Sequence, residues 1–178
     1  VFAGTGTATG VTLNLGVLTN GNSVTSGGFG NDLIKGIENL VGSAYADTLT
    51  GNSGSNILAG GMGKDVLTGG AGADKFLFNV METSANKETI ADFNVSEDKI
   101  QFSKAVFAGL SITADIASMF AKSTDTISAS TRLIYNSTSG ILSYDADGSG
   151  TQFQAVDVAL IGVNTHAQLA ATHFEVVA

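Results

Sequence analysis

GSAYADTLT (42–50), GNSGSNILA (51–59), GGMGKDVLT (60–68) and GGAGADKFL (69–77) follow one another without a break. Their first residue is always Gly (42, 51, 60, 69), the sixth is Asp47, Asn56, Asp65 or Asp74, and the eighth is Leu49, Leu58, Leu67 or Phe76. Four units in register at three chemically different positions define an internal repeat. Six Gly-rich residues suit a tight turn with left-handed positions. The next three, one apolar residue between polar or small ones, predict a very short strand with the eighth residue pointing inward.

Two such units complete one coil, so the coils stack into two parallel sheets over a thin apolar core. Turns eighteen residues apart then share an edge, which sets Asp47 beside Asp65 and Asn56 beside Asp74. That edge offers carboxylate and carbonyl oxygens. Calcium takes six to eight oxygens of this kind, whereas magnesium prefers a smaller octahedral site. Zinc and copper favour His or Cys, and the turns contain neither. For a single turn, Asp and Asn merely supporting the bend is the simpler account. Four in register point to Ca2+.

Residues 60–77 fit the signature GGxGxDxUx throughout and resemble the RTX, or hemolysin-type, calcium-binding repeats of proteins that Gram-negative bacteria export by type I secretion. The preceding GIENLVGSAYADTLTG (36–51) is similar to the run that leads into such arrays. The resemblance implies a parallel β-roll, a calcium-binding β-solenoid. It also implies one ion between the Asp47 and Asp65 turns and another between the Asn56 and Asp74 turns. Gly61, Gly63, Gly70 and Gly72 would donate carbonyls or shape the turns. Tyr45 in place of the fourth-position Gly, and the neutral Asn56, depart from the pattern.

Upstream, GGFGNDLIK (27–35) also fits the nonapeptide, with Asp32 sixth, but Asp32 and Asp47 are fifteen residues apart and the register breaks. Residues 1–41 are therefore expected to be an irregular start of the solenoid, with VTLNL (11–15) a strand. Downstream, Glu88-Thr89-Ile90 and Asp98-Lys99-Ile100 keep the acidic–x–apolar cadence, and Asp92 falls eighteen residues after Asp74. Glu88, Asp92 and Asp98 are thus further ligand candidates, or residues of two strands joined by a polar turn. ETIADFNVSEDKIQF is similar to the closing turns of RTX arrays, giving a roll over 42–100.

Beyond it, 101–178 reads as a β-rich cap with one or two short helices, of the kind repeat arrays need to cover an open end. ITADIASMFAK (112–122) has helical spacing, with Ile112, Ile116, Met119 and Phe120 on one face, and Thr165 with Gln168 suggests a capping box. Strands are expected at 132–136, 141–145, 153–161 and in HFEVV. In DADGSG (145–150), Asp145 and Asp147 alternate as calcium-loop ligands do, but Val156 stands where an EF-hand needs its acidic residue. A hairpin turn is the preferred reading. GILSYDADGSGTQFQAV is similar to the end region of type I-secreted RTX proteins, which implies an export signal in the last fifty or so residues.

The chain has 178 residues, no Cys, no Pro, 23 Gly and a net charge of −8. This charge argues against nucleic acid or an anionic membrane as partner. No apolar run approaches the ~20 residues of a membrane-spanning helix. Opening on Val1, the chain reads as part of a longer protein. His166 and His173 accompany no HExxH, nucleophile elbow or phosphate loop, so no catalysis is expected. The expected role is a calcium-dependent folding and secretion module of a larger protein, secreted or on the cell surface. The alternative is an auxiliary module of an exported enzyme or adhesin that grips substrate, a glycan or a cell-surface target. A Thr/Asn ladder would mark surface or ice binding, and Thr50-Gly51-Asn52 supplies one rung.

Overall fold

The computed structural model describes residues 10–15, 22–25, 31–34, 37–81, 83–112, 116–148 and 154–178. The array forms four three- or four-residue strands, β5 (Thr48–Thr50), β6 (Ile57–Ala59), β7 (Val66–Thr68) and β8 (Lys75–Phe78). Before them stand β1 (Thr12–Asn14), β2 (Asn22–Thr25), β3 (Asn31–Ile34) and β4 (Asn39–Val41). After them come β9 (Glu88–Ile90), β10 (Lys99–Ser103), β11 (Phe120–Lys122), β12 (Leu133–Asn136), β13 (Ile141–Tyr144), β14 (Val156–Ile161) and β15 (Phe174–Val177).

Successive repeats feed two different sheets. One runs β11-β12-β13-β14-β9-β7-β5-β1-β2-β3 and the other β15-β10-β8-β6-β4. Pairing is parallel throughout the second sheet and from β14 to β1 in the first. The molecule is therefore mainly strand, and its parallel sheets are consistent with a β-roll.

The eighth-position residues explain why the sheets pack. Leu13, Leu49, Leu67, Ile90 and Ile161 lie in register across one sheet, and Leu40, Leu58, Phe76, Ile100 and Phe174 across the other. Both rows are buried in one core. Toward the cap the row broadens into aromatics. Phe102 stacks on Phe78 at 5.3 Å and meets Phe107 edge-on at 4.8 Å.

Helical structure among the described residues is limited to 3-10 turns at Ser84–Asn86, Ile116–Ser118 and Ala171–His173. The helix expected over 112–122 gives way to a strand. Met119 accepts the N–H groups of Arg132 and Leu133, and β11 pairs with β12. Residues 113–115 lie outside the described set. No helix starts at Thr165, where the chain instead folds back closely on Gly162, whose φ is +80°. No helix among the described residues is long and apolar enough to cross a membrane.

Leu67 is 1% exposed and Val66, beside it, 37%. Leu67→Ala should therefore cost about 2–5 kcal/mol of unfolding free energy by opening a cavity. Val66→Thr, by contrast, should stay within about 0.5 kcal/mol. Denaturant unfolding in calcium checks the pair; equal costs would mean that Leu67 is not core.

Candidate metal centre

The turns of the array stack directly, third on first and fourth on second. Met62 N–H donates to Ser43 O at 3.2 Å, and Ala71 N–H to Asn52 O at 3.1 Å. Glycines at the second and fourth positions permit this approach. Gly61, Gly63, Gly70 and Gly72 have φ of +98°, +117°, +99° and +103°, a region that L side chains rarely adopt. A Cβ on Gly61 or Gly70 would also stand 2.2 Å from the carbonyl oxygen beneath it. First-position glycines answer a different constraint. A Cβ on Gly60 would be 2.2 Å from Asp65 Oδ2, and one on Gly69 2.3 Å from Asp74 Oδ2.

The sixth-position side chains are buried where turn becomes strand. Each reaches back one coil. Asp65 Oδ1 accepts the N–H of Asp47 at 2.7 Å, Asp74 Oδ1 that of Asn56 at 2.8 Å, and Asp98 Oδ1 that of Asp74 at 2.9 Å. Sheet register continues both rows beyond the repeats, because Thr89 faces Val66 and Lys99 faces Lys75. Glu88 and Asp98 therefore occupy sixth-position places. Asp92, eighteen residues after Asp74, does not. The closing coil separates Asp74 from Asp98 by 24 residues, and Asp92 instead accepts the N–H groups of Gly69 and Gly70 at 2.8 and 2.9 Å.

The remaining sixth-position atoms divide the turns into two kinds. Asp47 Oδ2 accepts the N–H of Ser43, and its Oδ1 accepts from Val11 N–H and Ser43 Oγ. Asn56 Oδ1 accepts Asn52 N–H at 2.8 Å, and its Nδ2 donates to Glu38 O at 3.2 Å. An amide is needed there because the coil beneath presents a carbonyl. Asp98 Oδ2 likewise accepts Asn94 N–H at 2.8 Å. These turns close onto their own sixth residue through the N–H of a second-position Ser or Asn.

In the fourth turn, where the second residue is the left-handed Gly70, the outcome differs. Gly70 N–H goes to Asp92, and Asp74 Oδ2 is buried without a hydrogen-bond partner. In the third turn, Asp65 Oδ2 and Glu88 Oε2 converge on Gly60, at 2.2 and 2.7 Å from the position of a Cβ there. This distinction was legible in the contrast between Ser43 or Asn52 and Gly61 or Gly70, yet the sixth position alone does not reveal it.

Burial pushes the Asp74 carboxyl up to about 6. The Asn56 N–H opposes the shift, while the charges of Asp98, Asp92 and Glu97 add to it. Burial also raises Asp98, against hydrogen bonds from Asn94 and Asp74. Among the described residues no three acidic or His side chains gather closely enough to hold an ion by themselves, so main-chain carbonyls must complete any coordination shell. The donors at these turns are all oxygen, a buried carboxylate oxygen lacks a partner, and glycines leave room beside it. This set fits calcium and offers nothing to a softer metal.

The other candidates lie elsewhere. Asp32 stands on β3, opposite Val24 in an antiparallel pair, and its preceding glycines fall outside the described residues. Asp145 follows β13, its carboxyl raised by burial and by Asp147, whose N–H it accepts at 3.1 Å. β13 pairs antiparallel with β14, so DADG belongs to the connection between them, and 149–153 are outside the described residues. His173 Nδ1 accepts Ala170 N–H at 2.8 Å and its ring meets Phe93 edge-on.

No curated protein matches the chain. A family model does match, over residues 41–76, in four copies. Residues 41–76 are thus an array of RTX calcium-binding nonapeptide repeats, a family that binds Ca2+.

Proposed function

We propose that the chain is a calcium-dependent folding module that serves secretion and stability of a larger protein exported by a Gram-negative bacterium. The observation that carries this reading is Asp74 Oδ2, buried without a partner beside Gly69. Leaving a carboxylate oxygen buried and unsatisfied costs on the order of 1–3 kcal/mol or more, and a cation removes that cost. In this reading Asp65 and Asp74, with carbonyls of the stacked turns at Gly61, Gly63, Gly70 and Gly72, hold the ions. Asp47 and Asn56 brace the first coil.

Calcium binding to the folded state alone stabilises it by RT ln(1 + [L]/Kd), about 2.7 kcal/mol at a hundredfold excess. Extracellular calcium modules bind with Kd on the order of 10⁻⁴–10⁻³ M. In calcium-poor cytosol the Gly-rich chain would stay unfolded and competent for type I export, its signal lying in the cap. Outside the cell it would fold. No chemistry is asked of His166 or His173.

A second reading, an auxiliary glycan- or surface-binding module, draws on the outward residues of the first sheet. Thr12, Thr48, Val66 and Thr89 stand in register, as do Asn14, Thr50 and Thr68. This uncharged ladder is longer than Thr50-Gly51-Asn52 suggested. Retention on an insoluble polysaccharide such as peptidoglycan, lost in Thr48→Asp/Thr68→Asp, would support it; no retention by the calcium-loaded protein would end it.

Far-UV circular dichroism during a calcium titration should show β structure gained with calcium and lost with chelator. A spectrum and melting point indifferent to both would refute the module. Asp74→Asn should lose about one ion equivalent or weaken one site at least tenfold. Asp47→Asn should keep the ion count while losing roughly 1–3 kcal/mol of stability. Equal ion loss in the two variants would contradict the division of roles.

Acidity provides a separate check. The Asp74 carboxyl sits at about 6 in the fold against 3.8 ordinarily, so its contribution stabilises the metal-free fold at low pH and is lost as pH rises through the folded value. In chelator any residual β structure should be greater at about pH 5 than at about pH 7.5. Millimolar calcium should reverse that order, because the ion competes with the proton. Circular dichroism showing the same order with and without calcium would exclude this coupling.

A further inference from the structure

The calcium reading extends past the last repeat through one residue of the closing turn. In the first two repeats the N–H of the first glycine donates to a strand carbonyl of the next repeat, Gly42 to Ala59 O and Gly51 to Thr68 O, both at 2.8 Å. In the fourth repeat the equivalent N–H, on Gly69, meets a carboxylate instead, Asp92 Oδ1 at 2.8 Å. The other oxygen of Asp92 takes the N–H of Gly70 at 2.9 Å.

Two consequences follow. First, Asp92 captures the second-position N–H that in the first two turns is spent on the turn's own sixth residue, as Ser43 on Asp47 and Asn52 on Asn56. With Gly70 N–H held by Asp92, Asp74 Oδ2 remains buried, 0% exposed and without a partner, on the Gly69 side of the turn. Second, a formal charge replaces a neutral carbonyl beside that oxygen. An ionised carboxylate has about four acceptor positions, so Asp92 can hold two N–H groups and still contribute to a cation.

We propose that Asp92 is the second carboxylate of a calcium site that straddles the end of the array, with Asp74 and the fourth turn on one side and the closing turn on the other. The remaining ligands are carbonyl oxygens. The site lies partly outside the matched repeats, and it would make the final repeat a complete site although no nonapeptide follows it. This inference rests on the calcium reading above.

Calcium equilibrium dialysis and calorimetry on the full chain, wild type against Asp92→Asn and against Asp125→Asn, test it. Asp125 is an exposed carboxylate that accepts the N–H of Lys122. The expected result is loss of one ion equivalent, or at least a tenfold weaker final site, in Asp92→Asn alone. The same number of ions with unchanged affinity in Asp92→Asn would overturn the proposal. Should that variant fail to fold at saturating calcium, the wild-type protein still decides. The carboxyl 13C resonance of Asp92 should move together with that of Asp74 during a calcium titration, and a stationary Asp92 signal would overturn the proposal. Wild-type protein that binds no calcium at all would remove the underlying reading as well.

Discussion

Where each strand of the array begins, hydrogen bonding within a turn has to hand over to hydrogen bonding within a sheet, and side-chain oxygens make the join. Asp65, Asp74 and Asp98 each accept the main-chain N–H of the sixth-position residue one coil earlier. Strands of three residues have little ladder of their own. Without this brace the N–H at each junction would be buried and unsatisfied, at a cost near that of a lost hydrogen bond. The inward row of Leu, Ile and Phe then supplies the apolar burial, but only once the coils are in register.

The same geometry creates the electrostatic problem that calcium solves. A brace made of carboxylates stacks negative charge along both rows of turns, and the protein as a whole carries −8. Some turns avoid the difficulty by saturating their sixth residue with local N–H groups, as Ser43 and Asn52 do. The fourth turn, with left-handed glycines at its second and fourth positions, does not, and burial there pushes the Asp74 carboxyl toward protonation. In the proposed reading a proton or a cation relieves that charge. On that reading, folding is coupled to the medium.

Much of this was legible in the residues, because a nine-residue period leaves little freedom. The inward role of Leu49, Leu58, Leu67 and Phe76, the pairing of Asp47 with Asp65, and the strand at Glu88-Thr89-Ile90 all follow from the cadence. The partner of Asp74 did not. Counting eighteen residues points to Asp92, whereas the closing coil is longer and brings Asp98 into register. Spacing arguments hold only while the period does. The helical pattern at 112–122 does not extend past the 3-10 turn at Ile116–Ser118, for another reason. Met119 and Ala121 are buried on alternate positions, and pairing with Leu133–Asn136 overrides a local preference in so short a segment. What leaves the fourth turn open was written in its second position, where Gly70 stands in place of Ser43 or Asn52.

Anomalous scattering from calcium in crystals of the full chain would test the account most directly. The account predicts peaks at the turns of Asp65 and Asp74 and none held by the side chains of Asp47 or Asn56. Ions coordinated by Asp47 or Asn56, with the carboxylate of Asp74 left bare, would contradict it.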